Sequence, residues 1–526
     1  METEKLTNFI DDIVFIDSIK RNKKYDRVSK LHKYWSRKPW YLIEKSILDY
    51  SKEGDLVLDP FIGSGTVALE SLLNNRKAVG YDLNPFACFL SNELVNNIDF
   101  EVNDYNEELH SIEHFMRENI LPLYAVGKSN NLLFNENYYI LYWYSGTKLP
   151  DDYNCIVTDA NFKERIKSKI DTKTLTKKFV LNGSVPTNKF PKEFYKDRFS
   201  YKGYSKVSDF YSSRNLSALS SLNKHLKESE YKYKDLFLIA FTNTVLHASV
   251  LKGTNVRPLG VNNYWIPDDN IQENVVWRYL DRAKNVAIAK NTIRDRWLEK
   301  NKPEILKPEI LNKSSLKLDE FKDNTVDYII TDPPYGDVIQ YSELSFIWNS
   351  WLDVVYENKN EVIINPKQDK DSSDFLESIK VFIENSYRVL KNESKFTLCF
   401  QNKNIDIWYS ILELIKEAGF SLFDTKVYET VGSTYNQNWA KFSPKNDLYV
   451  TFIKSNNIVN QNDFPIDYLS LISEVKTNLK ELKKDSTAII FDVFVCTVIE
   501  KLFNGYHITG LKGLTLKKLV KKFEEV

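Results

Sequence analysis

Cysteine is scarce and dispersed. The chain has four in 526 residues, Cys88, Cys155, Cys399 and Cys496. None stands at CxxC or zinc-finger spacing, which argues against a disulfide framework and a structural zinc site and fits a reduced, cytoplasmic setting. The six histidines never cluster, so His225 and His247 read as packing or surface residues. No run approaches the length of a membrane span, and Met1-Glu2-Thr3-Glu4-Lys5 lacks the apolar core of a secretory leader. Net charge is missing too. Lys+Arg and Asp+Glu each number 72, so only the distribution of charge could point to a polyanion. There is no internal repeat, no GK[ST] and no three-glycine dinucleotide fingerprint, which disfavours ATP and NAD as ligands.

What remains reads as an ordinary globular chain, 42% hydrophobic and 27% charged, with room for two to four domains at roughly 100–200 residues each. Its most informative stretch is Thr331-Asp332-Pro333-Pro334-Tyr335-Gly336, behind the apolar run Val326-Asp327-Tyr328-Ile329-Ile330. A buried strand that stops at an acid, two prolines and a ring leaves those residues at the carboxyl edge of a sheet, where open α/β folds bind ligands. That suits chemistry on an exocyclic amine. The amine lone pair is delocalised into its ring, so an enzyme must accept hydrogen bonds from the NH2 while holding the ring flat. Asp332 and the Pro333 carbonyl can accept. Pro333 and Pro334 stiffen the turn and offer no competing N–H, and Tyr335 offers a face for stacking. An ordinary strand-to-loop turn would be spelled the same way, so the tetrapeptide needs company.

That company lies near the start. Leu56 to Thr66, LVLDPFIGSGT, reads as a buried strand, a glycine turn and the start of a helix through Leu73. Gly63 and Gly65 let the backbone approach a ligand, and the helix start favours a carboxylate or phosphate. About sixteen residues on, Ala78 to Pro85 gives a second strand ending in Asp82, an acid placed to accept both hydroxyls of a ribose. Ahead of both, His32 to Trp40 (HKYWSRKPW) is dense in cations and rings and leads into a helical pattern from Tyr41 to Tyr50. On composition alone it would be a surface segment packing its rings on the sheet.

Together these residues resemble the S-adenosylmethionine-dependent amino-group DNA methyltransferases, which make N6-methyladenine or N4-methylcytosine. Asp59 to Thr66 is similar to that family's cofactor loop, Asp82 to its ribose acid, Asp332 to Tyr335 to its catalytic signature, and His32 to Trp40 to a segment that helps hold the methionine end. The resemblance covers roughly 30–100 and 305–454, and the conjunction is far more specific than any part. It implies S-adenosyl-L-methionine as cofactor, with no metal required. Catalysis would fall to Asp332, Pro333, Pro334 and Tyr335. Cofactor contacts would come from Lys33, Tyr34, Trp35, Arg37, Lys38, Pro39, Asp59, Pro60, Phe61, Gly63, Gly65, Thr66, Asp82 and Asn84.

The expected fold is α/β, a doubly wound Rossmann-like methyltransferase sheet with a large inserted target-recognition module and a small helical C-terminal tail. Helical periodicity over Ile379 to Leu390 and Ile407 to Ala418 alternates with strands over Phe396 to Phe400 and Leu448 to Ile453. Some 265 residues separate the cofactor loop from the catalytic tetrapeptide, far more than a crossover needs, so most of 100–300 must be inserted. In the family that motif order is called alpha and the insert recognises the target. The divisions expected are 1–100 and 301–454 for the catalytic domain, 101–300 for the insert and 455–526 for the tail.

From Asp171 to Lys206 nine basic residues face three acids, a net of +6, interleaved with Phe190, Phe194, Tyr195, Phe199, Tyr201 and Tyr204. That mixture suits a surface meeting phosphates and unstacked bases, or else a solvated Lys-rich loop. Lys192, Arg198 and Arg257 are candidate DNA contacts, and Arg214, Lys252, Arg257 and Asn255 candidates for base edges. Asp337 and Tyr341 are placed to line the base pocket, and Gly432 to Asn436 to touch the flipped base or its backbone. Residues 235–251 read as a core helix, and Trp265, Trp277 and a helical run from Ile271 to Leu298 as braces of the insert. The tail ends in Lys512, Lys517, Lys518, Lys521 and Lys522 and reads as a DNA-contacting or dimer-forming module or a capping bundle.

The expected activity is site-specific methylation of double-stranded DNA on a flipped base. Adenine is favoured because an acid at the first position of the signature is commoner among N6-adenine enzymes of the resembling family. N4-cytosine, RNA guanine-N2 methylation and a non-catalytic DNA-binding protein are the alternatives. No PD…(D/E)xK arrangement stands in context, so a cognate restriction endonuclease would be a separate protein.

Overall fold

A computed structural model of the chain describes residues 15–16, 22–126, 138–194, 203–255, 257–259, 264–304, 306–356, 358–428, 446–455, 464–482 and 487–525. Arg198, Tyr195, Phe199, Tyr201 and the Gly432 to Asn436 loop lie outside the described residues.

In chain order the strands are β1 (Phe15–Ile16), β2 (Leu56–Asp59), β3 (Lys77–Tyr81), β4 (Tyr138–Tyr144), β5 (Cys155–Asp159), β6 (Ile166–Ser168) and β7 (Ile271–Glu273). There follow β8 (Glu309–Leu311), β9 (Val326–Thr331), β10 (Leu390–Cys399), β11 (Phe420–Tyr428), β12 (Asp447–Lys454), β13 (Phe464–Asp467) and β14 (Tyr506–Thr509). Eight form one sheet in the order β1-β11-β12-β10-β9-β2-β3-β8. From β8 to β10 it is parallel, and β12 pairs antiparallel with both β10 and β11. Its centre reads as unbroken apolar runs because parallel strands are covered on both faces, and Val57, Leu58, Ile329 and Ile330 are fully buried. Two residues of the N-terminal apolar cluster, Phe15 and Ile16, add the edge strand.

The helices over this sheet and beside it are α1 (Trp40–Tyr50), α2 (Thr66–Leu73), α3 (Pro85–Val95), α4 (Val102–Asn119), α5 (Ser213–Glu228), α6 (Lys234–His247) and α7 (Val275–Glu299). Then come α8 (Tyr341–Trp351), α9 (Ser372–Val389), α10 (Ile405–Glu417), α11 (Tyr468–Leu482), α12 (Thr487–Phe503) and α13 (Leu516–Glu525). The chain leaves β2 through α2 for β3 and later β8, then returns on the other side of β2 as β9. Strand order therefore reverses between β2 and β9, and the crevice at their carboxyl ends is the switch point where such sheets bind ligands.

β10 begins at Leu390 rather than Phe396, and the helix expected over 235–251 ends at His247. Two helix starts differ by more than two residues from the sequence reading, and capping explains both. α9 begins at Ser372, where the Asp371 carboxylate accepts from the Ser373 and Asp374 N–H groups, rather than at Ile379. Ile271 to Glu273 is a strand, and α7 starts only after Asn274 caps Val276 (2.9 Å).

Residues 138–168 and 271–273 form an antiparallel sheet in the order β6-β5-β4-β7, flanked by α4 to α7. This part shares one continuous core with α1 to α3 and α8. Arg296 of α7 makes a buried bidentate pair with Glu70 of α2, both bonds 2.6 Å, and its guanidinium lies against Tyr25 and Trp40. Lys290 caps the carbonyls of Glu93 (3.0 Å) and Leu94 (3.2 Å) at the end of α3. The tail is not wholly helical. β13 and β14 pair in parallel, while α11, α12 and α13 bury Leu471, Val475, Phe494 and Leu519 in the core that covers β12. Among the described residues no helix is long and apolar enough to cross a membrane, and no cluster of three or more His, Cys, Asp or Glu could hold a metal ion.

Candidate active site

The crevice between β2 and β9 opens into a cleft of about 920 Å³, open solvent at its mouth included. Three strand ends deliver its acids: Asp59 from β2, Asp82 after β3 and Asp332 after β9. Each strand is held in register by its neighbours, so the acids stand along one edge. Thr331 Oγ1 donates to Asp59 Oδ1 (2.7 Å) and locks the ends of β2 and β9 together. The Phe61 N–H donates to the same oxygen (3.1 Å).

One wall is built from β3 and the glycine turn. Asp82 accepts from the Gly63 N–H (3.0 Å) and the Asn84 N–H (2.9 Å). Gly63 needs its positive φ of 51°, and a Cβ there would stand 3.2 Å from the Tyr34 ring. Tyr34 stacks with Tyr341 of α8, centroids 6.2 Å apart at 24°, so two rings face the cleft nearly parallel. Arg37 is half-buried beside them. Its recorded hydrogen bond goes to the His32 carbonyl (3.2 Å), and burial lowers its pKa to about 10. A guanidinium so placed is ready to meet a carboxylate.

The opposite wall holds the loop that follows β9. Asp332 accepts from the Tyr335 hydroxyl. Lys38 Nζ lies 3.6 Å from Asp332 and 3.2 Å from Asp447, the first residue of β12. Burial raises the Asp332 pKa to about 7 against the lowering effect of Lys38 and Tyr335. Burial likewise raises Asp59 to about 7 and Asp82 to about 6. Tyr335 does not present a free face. Its ring is buried, meets Phe400 edge to face at 5.4 Å and has Lys38 Nζ 5.5 Å from its centroid.

The cleft thus brings together Tyr34, Trp35, Arg37, Lys38, Asp59, Pro60, Phe61, Gly63, Thr66, Asp82, Asp332, Pro334 and Tyr341. Others stand back from it. Lys33 caps the Pro258 and Leu259 carbonyls with its ammonium. Gly65, with a φ of 82°, packs on Ser91, and Asn84 is the buried N-cap of α3. Pro39 is the N-cap residue of α1 and lines a neighbouring cavity. Pro333 is buried and Asp337 exposed. In the insert Lys192 and Arg257 are exposed, whereas Arg214 is buried among Tyr124, Trp143 and Phe179 with a bond to the Thr174 carbonyl. Arg214 therefore cannot meet base edges. Phe190 and Phe194 pack on Phe346 of α8, each at 5.4 Å, so they serve the core and not a stacking surface.

Several contributors went unseen in the sequence reading, four of them polar groups of particular weight. Ser315, Tyr356 and Glu361 line the cleft, and Asp447 holds Lys38. Glu361 accepts from the Ser342 N–H (2.9 Å) and hydroxyl (2.6 Å) at the start of α8. Nothing in the spelling of these residues marks them, since each arrives from a loop or edge far along the chain.

The model of the N6_N4_Mtase family, described as DNA methylase, matches residues 3–93 and 326–508, just over half of the chain. Its gap opens inside α3 and closes where β9 begins. The orphan methyltransferase M.BamHII of Bacillus amyloliquefaciens is 48% identical over 59 residues, 11% of this chain and 22% of that protein. The type II methyltransferase M.MvaI of Kocuria varians is 25% identical over 312 residues, 58% of this chain and 52% of that protein. The type II methyltransferase M.MjaII of Methanocaldococcus jannaschii is 21% identical over 427 residues, 76% and 77% of the two chains. The chain thus spans about a fifth of the first relative and about half of the second.

Proposed function

The chain belongs to the DNA methylase family, and on that premise we propose that it transfers a methyl group from S-adenosylmethionine to the exocyclic amine of a flipped DNA base, most favourably adenine N6. The observation that carries this reading is the single crevice in which Asp332 of the catalytic loop faces Asp59 and Asp82 of the cofactor wall. The cleft suits the cofactor. Arg37 is a half-buried cation fit for its carboxylate, Asp82 is an acid of the cleft that would accept from the ribose hydroxyls, and Tyr34 offers a ring face. When bound, S-adenosylmethionine supplies an electrophilic methyl on a positive sulfonium.

The protein's own part is positioning and electrostatics. A paired base cannot bring its amine to the cleft, so the target nucleotide leaves the stack. Asp332 and the Pro333 carbonyl accept from the incoming NH2, which turns the nitrogen lone pair toward the methyl carbon. The bound cofactor would supply the methyl to that nitrogen, its S–C electron pair staying with sulfur, and Asp332 would take the proton the nitrogen sheds. Because the Tyr335 hydroxyl already donates to Asp332, it holds that carboxylate in place for the incoming amine. Residues 101–300 are assigned target recognition, with Lys192, Arg198 and Arg257 as DNA contacts, and the setting is restriction-modification with any nuclease as a separate protein.

Asp332→Ala tests this reading. Turnover should fall by at least about a thousandfold while cofactor affinity stays within about twofold. Equal loss of cofactor binding would remove the assigned role.

A further inference from the structure

The lysines at the end of the chain are not absorbed by the reading above. We infer that the C-terminal module carries a second phosphate-contacting surface for duplex DNA beside the catalytic loop, formed by Lys403, Lys512, Lys517 and Lys521. The inference rests on the proposed function, since it takes the duplex to be the molecule that crosses this edge.

Place is the first argument. After β10 the chain runs along the carboxyl edge, and Asn402 Nδ2 donates to the carbonyl of Tyr335 (3.3 Å). The very next residues are where the C-terminal segment is seated. The Leu516 N–H donates to the Lys403 carbonyl (2.9 Å), the Ile405 N–H to the Leu514 carbonyl (3.0 Å) and the Gly513 N–H to Asp406 Oδ2 (3.1 Å). The side chain that holds the catalytic loop and the backbone on which α13 begins therefore belong to adjacent residues, Asn402 and Lys403.

Orientation is the second. Leu511, Leu514, Leu516, Leu519, Val520 and Phe523 are buried, so α13 and the turn before it are fastened by one face. Lys512, Lys517 and Lys521 stand on the exposed side, with Lys403 exposed on the adjoining loop. Charge is the third. Asp406 is engaged by the Gly513 N–H and Glu525 by Lys522 (2.6 Å), while Lys518 turns back to the Gly513 carbonyl (2.8 Å). The remaining ammonium groups face solvent.

The geometry favours nucleic acid over another partner. A flipped nucleotide entering the cleft leaves backbone on both sides of it. On one side the insert is tied to α8, through the Tyr264 hydroxyl donating to the Glu343 carbonyl (2.7 Å) and Asn365 Nδ2 donating to the Glu193 carbonyl (3.3 Å). The C-terminal module is tied to the other flank through Asn402. Lysines are point charges without the planar fork that reads a guanine, so this surface would position the duplex and leave sequence to the insert.

The test is binding of the full chain to a mixed-sequence duplex of about 30 base pairs across a series of KCl concentrations. The quadruple variant K403Q/K512Q/K517Q/K521Q should bind about tenfold or more weakly at moderate salt. Its slope of log affinity against log salt should drop by about 2–4, at roughly 0.9 per lost phosphate contact. Cofactor affinity and melting temperature should hold, and the matching Lys→Arg variant should keep the wild-type slope. Lys52, Lys77 and Lys322 are exposed at the opposite, amino edge of the sheet, and K52Q/K77Q/K322Q should leave the slope unchanged. An unchanged slope in the quadruple variant, or an equal drop in the amino-edge control, overturns the surface. A wild-type chain that binds no duplex at all overturns the proposed function with it.

Discussion

Two stretches of this chain have nearly the same spelling and opposite fates. His32 to Trp40 and Asp171 to Lys206 both interleave cations with rings. In the first, Tyr34, Trp35, Arg37 and Lys38 turn inward to line the cleft. In the second, the described rings Phe190 and Phe194 go into the core, while Lys173, Lys177, Lys178, Lys189 and Lys192 stay in solvent. Composition does not distinguish them. What does is the neighbour: the first stretch runs directly into α1 beside the carboxyl ends of β2 and β9, where three acids need counter-charge, and the second crosses the outside of α8. A cation among carboxylates is held by them and shifts their titration, as Lys38 does for Asp332, and the same cation on a solvated loop is left to solvent.

The sharpest break of that contrast is Lys38→Met. Asp332 must be ionised to accept from the amine, and Lys38 is what lowers its pKa against burial, which holds it at about 7. Removing the ammonium raises that pKa. The acid limb of kcat/KM should then move to higher pH, with a loss of about a hundredfold at pH 7 that shrinks by pH 9. A uniform loss across pH would mean that Lys38 only shapes the cleft. Next in size is Arg214→Ala in the insert. If this cation serves packing, the change should destabilise the fold by about 3 kcal/mol through the cavity and lost ring contacts, seen as a lower melting temperature, while the salt dependence of DNA binding stays put. Smallest is K173Q/K177Q/K178Q/K189Q on the insert. DNA affinity should weaken by about three- to tenfold, and turnover at saturating DNA should not change.

The sheet was legible because parallel strands declare themselves as apolar runs; Leu56 to Asp59 ends in an acid of the cleft, and Val326 to Thr331 runs directly into another, Asp332. Asp82 was legible for the same reason. Asp447 and Glu361 were not, because their places depend on which strand lies beside β10 and on how the chain leaves α8, neither of which leaves a local pattern. Arg214 was misjudged for a related reason. An arginine in a polar stretch looks exposed until three rings from separate elements close over it. Tyr335 shows a different limit: its place at the cleft could be read, but not its hydrogen bond back to Asp332.

The central claim is that the amine of a DNA base is methylated at Asp332. Its most direct test is to incubate the purified protein with methyl-labelled S-adenosylmethionine and unmodified duplex DNA, digest to nucleosides and identify the labelled one. The account predicts labelled N6-methyldeoxyadenosine that disappears in Asp332→Ala. N4-methyldeoxycytidine would change the base and leave the rest standing, whereas label in RNA with none in DNA would contradict the account.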